Sequence, residues 1–220
     1  MPLSVIVPCY NAARFVGEAI TSILNQSCLP EEIVIVDDGS TDDSVAQIGR
    51  FEGQVRLLRQ ANAGAAAARN AGLAATCGQL VAFLDADDLW PPDSLSSRLG
   101  AMERSRADIV FGAVRELVDT GSADTLLGPP VEGRMAGSMI VRRGVFDQLG
   151  DFDESLRSAE VVDFASRAQL RGFSSESVAD VVLHRRVHGA NLMLRHSGAC
   201  EDVLRVLRRT IERKRGRAIS

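Results

Sequence analysis

The first half of the chain alternates short apolar runs with longer amphipathic stretches. Leu3–Pro8 is a compact β-like run. Residues 13–26 then place Phe15, Val16, Ala19, Ile20, Ile23 and Leu24 at helical spacing. Glu32–Val36 reads as a second strand that stops at Asp37-Asp38-Gly39, with Ser40 or Thr41 placed to cap a helix over 42–51. Gln54–Arg59 is a third strand, residues 64–76 an alanine-rich helix, and Leu80–Leu84 a fourth strand ending at Asp85. A helix over 93–105 and a strand over 108–113 follow. This alternation predicts an α/β protein with a parallel sheet covered by helices.

The rhythm breaks after about residue 114. Residues 119–137 are rich in Gly, Pro, Ser and Asp and predict a long loop or short hairpins. Ser138–Val141 returns as a strand, 142–149 as a short helix, 159–171 as a longer helix, and Val178–Leu183 as a strand. Residues 199–215 form a basic helix with apolar positions at Val203, Leu204, Val206, Leu207 and Ile211, a pattern that predicts packing on the domain.

Composition narrows the classes. The 220 residues are 45% apolar and 25% charged, enough for one globular domain with a substantial core. No window holds 18 uninterrupted apolar residues, and MPLSVIVPCYNA has neither a basic region nor a long apolar stretch. A cytoplasmic protein is the expectation. Net charge is -4, which argues against a nucleic-acid binder. The charge is uneven. Residues 201–220 carry seven basic groups against Glu201, Asp202 and Glu212, a local balance of +4, so the first 200 residues hold -8. That basic helix is a candidate for peripheral contact with an anionic membrane face. Cys9, Cys28, Cys77 and Cys200 lack zinc-ligand spacing and read as reduced thiols. Lys214 is the only lysine, and no GxSxG, HExxH, GxGxxG or P-loop string occurs.

Three clusters carry candidate chemistry. In FLDADD, Asp85, Asp87 and Asp88 follow the last apolar residue of a buried strand. Ligands of open parallel sheets bind beyond the carboxyl ends of the strands. Crowded carboxylates call for compensation, and Mg²⁺ or Mn²⁺ shared with phosphate oxygens supplies it. An acidic loop capping the next helix is the plainer alternative. Asp37 and Asp38 close the second strand, where a carboxylate can accept from a base imide or a ribose hydroxyl, or simply cap a turn. In NAGAAAARNAG, Gly64 permits a tight turn into the helix and four alanines let it sit close to the sheet. Arg69 then offers a fork of donors suited to a diphosphate, or is a solvated charge.

SVIVPCYNAARFVGEAITSILNQ, IVIVDDGSTDDS, NAGAAAARNAG and FLDADDLWPPDSL, in this order, resemble the family-two glycosyltransferases of the GT-A fold. The likeness is specific over residues 3–113 and looser to about 192. It implies a single GT-A (Rossmann-like) domain with a mixed, mostly parallel sheet flanked by helices. Within it lie a nucleotide-sugar-binding half over 1–113, an acceptor-side half over 114–200 and a basic helix over 201–220. It also implies inverting transfer of a sugar from a nucleoside-diphosphate sugar, a UDP-sugar by default, to a hydroxyl acceptor (a glycan, a lipid-linked saccharide or a small molecule) with Mn²⁺ or Mg²⁺. By the same resemblance Pro8, Tyr10 and Asn11 line the nucleoside pocket and Asp38 reads the base. Arg69 contacts the diphosphate or base side, Asp85 lies near the ribose, and Asp87 binds the metal. His188, in HRRVHGAN, is the best candidate for a further metal or phosphate contact, with Arg185 or Arg186 neutralising charge.

One position departs from the family. GDFDESLRSAEVVDFASRAQLRG resembles the segment in which a Glu-Asp pair opens the acceptor-side helix and the aspartate is the general base. Here the pair reads Glu160-Val161. Either Glu160 takes over as base, or the chain is a catalytically impaired nucleotide-sugar-binding partner. Asp163 matches a second acidic position and, one turn on, is expected to face the same way. A nucleotidyltransferase on a similar sheet is a third reading, disfavoured by the missing glycine-rich, lysine-containing loop.

Overall fold

A computed structural model describes residues 1–119, 124–156, 158–188 and 199–217. The elements run β1 (Leu3–Cys9), α1 (Val16–Leu24), β2 (Glu32–Asp37), α2 (Ser44–Gly49), β3 (Arg56–Arg59), α3 (Ala65–Ala75), β4 (Leu80–Phe83) and α4 (Ser94–Ser105). They continue with β5 (Ile109–Asp119), β6 (Asp124–Glu132), a single 3-10 turn at Ala136–Ser138, β7 (Ile140–Arg142), α5 (Arg143–Leu149), α6 (Glu160–Arg171), β8 (Ser175–Val187) and α7 (Ala199–Arg217). One sheet takes the order β3-β2-β1-β4-β7-β5-β6, with β8 paired to β5. The pairs β2–β3, β1–β2, β1–β4 and β5–β8 are parallel; those of β7 with β4 and β5, and of β6 with β5, are antiparallel. This is the mixed, mostly parallel α/β sheet expected.

The continuous apolar runs of β1 and β2 follow from burial on both faces. Val5 and Val7 of β1, with Ile33 and Ile35 of β2, pack with α1 and α4. The alternate residues Ile6, Val34 and Val36 pack with α3, α5 and α6. Helix α3 approaches β1 so closely that a Cβ on Gly72 would lie 2.3 Å from Ile6 Cγ2. Its N-terminal turn starts at Gly64 with φ 96°, a conformation that glycine adopts without a Cβ clash.

Four expectations change. The strand predicted over 108–113 runs on to Asp119, and of the loop or hairpins expected over 119–137 a hairpin forms: β5 pairs antiparallel with β6, whose Gly-Pro-Pro composition hides a strand at the end of the sheet order, where proline is tolerated. Second, β8 exceeds the predicted six residues, because two register shifts let its polar end follow β5 as far as Val187. Third, Ser40 and Thr41 do not cap α2. Asp42 accepts from Ser44 N instead, while Ser40 Oγ and Thr41 N bond to Asn11. Finally, only Val206 among the five apolar positions of α7 is buried, against Leu156 and Ala159.

Arg98 is fully buried and ties α4 to the 3-10 turn. It donates to Ser94, Gly137 and Met139 carbonyls and lies over the Trp90 ring, while burial pushes its guanidinium down to about 9. Cys9, Cys28 and Cys77 are free thiols, and burial raises Cys9 to about 12. Among the described residues no helix is long and apolar enough to cross a membrane.

Candidate active site

The acidic segments meet at one edge because β1 lies between β2 and β4. Cys9 is in register with Asp37 and Ile6 with Phe83, so the turns after the three parallel strands emerge side by side. Tyr10, just past β1, is exposed on this rim. Asn11 adopts φ 48°, and its Oδ1 accepts from Thr41 N at 2.8 Å, which joins the first turn to the second. Pro8 is buried inside β1 opposite Val36. A separate groove of about 610 Å³ between α1, α2 and the Leu89–Pro92 segment contains none of the Asp85, Asp87 and Glu160 carboxylates.

Asp38 is occupied by its own chain. Gln60 Nε2 (2.7 Å) and Ala63 N (2.9 Å) donate to Oδ1, and Gly64 N (2.8 Å) donates to Oδ2. Three of roughly four acceptor sites of the carboxylate are thereby filled. The group fixes the β3–α3 loop and the start of α3; Gln60, which shares that task, carried no signal in the sequence.

Arg69 is not a solvated charge. Its side chain is 4% exposed and forks between Asp85 Oδ1 at 2.5 Å and Glu160 Oε1 at 2.7 Å. Burial works against its charge, yet the two carboxylates hold its pKa above the ordinary value. Residues 69, 85 and 160, from α3, the β4–α4 loop and α6, thus form one bridge, buried at Arg69 and Glu160 and partly open to solvent at Asp85. Glu160 is 10% exposed in its side chain and is no surface charge. Its second oxygen, Oε2, and Arg69 Nε are buried with no hydrogen-bond partner among the described residues. Unpaired buried polar atoms are costly, so a ligand group that pairs with Oε2 gains what solvation lost.

Val161 faces the other way. It is 6% exposed and belongs to the apolar cluster of Phe83, Phe146, Phe152 and Phe164. Asp163 does not share the setting of Glu160, contrary to expectation. Arg167 Nε meets its Oδ2 at 2.6 Å and Arg213 its Oδ1 at 3.0 Å, so it anchors α7 to α6. On a helix of 3.6 residues per turn three residues span about 300°, and that offset separates their partners here.

Asp87 Oδ2 and His188 Nε2 lie 3.1 Å apart. The His188 ring packs on Phe15 with centroids 4.6 Å apart. Asp88 Oδ1 accepts from Arg186 N at 2.8 Å, and Leu89 and His184 exchange backbone hydrogen bonds, so the end of β8 is stitched to the acidic loop. His184–Val187 therefore belong to a strand, and residues 189–191 of the same motif lie outside the described residues. The backbone of Arg186, not its guanidinium, meets Asp88; the guanidinium pairs with Glu18 at 2.5 Å and lies over Phe15. Arg185 pairs with Glu116 at 3.5 Å. Phe15 and Glu18 support this corner, and nothing local in the sequence marked them.

Burial raises the pKa of Asp87, the charge of Asp85 adds to it, and the His188 hydrogen bond pulls it back. Burial pushes Asp88 well above the ordinary value, with the charges of Asp87 and Asp85 adding. A carboxyl raised in the fold makes the folded state bind more protons than the unfolded chain. Without metal, stability should therefore fall as pH rises from the ordinary carboxylate range through the raised Asp88 value, by up to about 1.4 kcal/mol per pH unit for one proton. Asp88→Asn, which can still accept from Arg186 N, should flatten that slope in urea unfolding between pH 4 and 8.

An open α/β sheet with turns gathered at the carboxyl ends of adjacent parallel strands places its ligand site at that rim. Residues 4–149 match the glycosyl transferase family 2, and the chain belongs to that family. It is 50% identical over 99 residues to the uncharacterized glycosyltransferase alr2836 of Nostoc, covering 43% of this chain and 31% of that protein. It is 42% identical over 110 residues to the putative teichuronic acid biosynthesis glycosyltransferase TuaG of Bacillus subtilis, covering 48% and 44%. The chain thus spans under half the length of both relatives. Among solved structures, S. aureus TarS 1–349 in complex with UDP-GlcNAc superposes with a TM-score of 0.78 at 23% identity, over 97% of this chain and 66% of that one. At that identity the likeness establishes a shared fold.

Proposed function

We propose that the chain transfers a sugar from a nucleoside-diphosphate sugar, with UDP as the carrier, to a hydroxyl acceptor with inversion, on the cytoplasmic side. The acceptor is a glycan, a lipid-linked saccharide or a small molecule. One observation carries this reading: the Glu160–Arg69–Asp85 bridge joins the acceptor-side helix to the acidic loop expected to hold the donor. Family membership and the UDP-GlcNAc bound to TarS support it.

Glu160 is the general base. Arg69 holds Oε1, and Oε2, which is closed off from solvent in this structure, takes the proton of the attacking hydroxyl once acceptor binding opens a path to it. The new bond forms between the acceptor oxygen and the anomeric carbon as the bond from that carbon to the diphosphate oxygen breaks on the opposite face. The nucleoside diphosphate leaves with the bonding pair. Arg69 keeps Asp85 oriented and supplies positive charge near the leaving group. Tyr10 packs on the base, Asn11 holds the turn that presents it, and Pro8 stiffens the strand below. Asp38 serves the base indirectly, by fixing the Gly64 turn, and Asp163 positions α6.

Asp87 and His188 fit a hard or borderline divalent cation, Mn²⁺ or Mg²⁺. No three His, Cys, Asp or Glu side chains among the described residues converge tightly enough to hold a metal unaided. Mg²⁺ sites commonly use one or two carboxylates with phosphate oxygens, so diphosphate would complete the set. When bound, the cation would neutralise the departing diphosphate.

The test is thermal unfolding with UDP and MnCl₂ separately and together. The pair should raise the midpoint by several degrees and either alone by much less, because only the ternary complex satisfies both partners. No shift with UDP, GDP or dTDP in the presence of metal would refute the donor site. A second reading, donor binding without turnover, is favoured by Val161, which packs in the apolar cluster where the family carries its base.

A further inference from the structure

Helix α7 presents two unlike faces. Arg209 Nη1 meets Asp153 at 2.6 Å, Arg213 Nη1 meets Asp163 at 3.0 Å, and Val206 is buried, so one face is clamped to α6 and the segment before it. The outward face carries Val203, Leu204, Leu207 and Ile211 at 40%, 52%, 50% and 51% exposure. Their spacing of three, four and eight residues from Val203 or Leu204 makes a continuous apolar stripe. Large apolar side chains in such a row mark an interaction surface rather than scattered surface residues.

Charge selects the occupant. The last twenty residues have a balance of +4 in a chain whose remainder holds -8. Arg208 is exposed one turn from both Leu204 and Ile211, and Lys214, Arg215 and Arg217 follow in the same helix. A second copy of a helix with this balance would be repelled. An anionic surface would be attracted, and the stripe would enter its apolar layer.

We propose that α7 is an interfacial helix that docks the protein on an anionic lipid bilayer, lying in the surface plane with Val203, Leu204, Leu207 and Ile211 immersed. The ion pairs at Asp153 and Asp163 hold the helix flat against the domain, so the stripe faces outward without local unfolding. The proposal goes beyond sugar transfer and needs neither donor nor metal.

The test is co-sedimentation of the whole chain with vesicles of phosphatidylcholine alone or with one-third phosphatidylglycerol. The protein should bind the anionic vesicles, bind the neutral ones much more weakly, and be released by high salt. The double variant Leu204→Glu, Leu207→Glu should weaken binding by about tenfold or more. Its unfolding midpoint should stay unchanged, since both side chains already face solvent. Failure of the wild type to bind anionic vesicles overturns the proposal, as does undiminished binding by the double variant. It also fails if sedimentation equilibrium shows a dimer that the same substitutions dissociate, which would make the stripe a contact between copies.

Discussion

Arg69→Met should destabilise the protein by about 3–5 kcal/mol, the cost typical of removing one partner from a buried ion pair. The loss would be read as a lower midpoint in urea unfolding. Asp85 Oδ1 and Glu160 Oε1 would both lose their donor. Arg69→Lys should recover only part of the loss. An ammonium is a point charge, whereas the planar fork of Arg69 reaches two carboxylates from different elements at once. The single mutants Asp85→Asn and Glu160→Gln should each cost less than Arg69→Met, because each leaves Arg69 one acidic partner. A wild-type-like midpoint for Arg69→Met would mean that the bridge does not hold the site together.

Glu160→Gln should lower kcat by about 10²–10⁴, the range for a positioned general base. The apparent affinity for UDP with Mn²⁺, read by thermal shift, should change little. That split separates a lost base from a lost fold or donor site. The complementary substitution is Val161→Asp. It would place a carboxylate in the apolar cluster that holds Phe146 and Phe164 unless the start of α6 shifts, so a lower unfolding midpoint is expected. If Glu160 is the base, Val161→Asp brings no gain in turnover. If turnover is absent in the native chain and appears in Val161→Asp, the chain is a donor-binding relative that has lost its base.

Legibility along the chain followed the range of the interactions involved. The strands β1, β2 and β4 were readable because both of their faces are buried and their runs are almost wholly apolar. Strand β8 was readable only in its middle. Its ends, Ser175–Ser177 and His184–Arg186 with Val187 beyond, are mostly polar and owe their strand state to pairing with β5. Asp87 and His188, 101 residues apart, were linked in the sequence only through family likeness; the tertiary structure sets their side chains 3.1 Å apart. Asp163 shows the opposite case. Its spacing from Glu160 suggested a shared role, but Arg213, from a helix fifty residues later, claims it.

By itself the sequence determined the α/β architecture, the common edge for the acidic turns and the family. Those follow from periodicity and short motifs, which act within one element or between neighbouring strands. Tertiary structure alone decided which charges are partnered. Arg69 binds Asp85 and Glu160, Asp38 is filled by its own loop, and four apolar residues of α7 remain outside the core. A charge or an apolar side chain gains its meaning from what lies within a few ångströms, and that neighbour is set by how the elements pack.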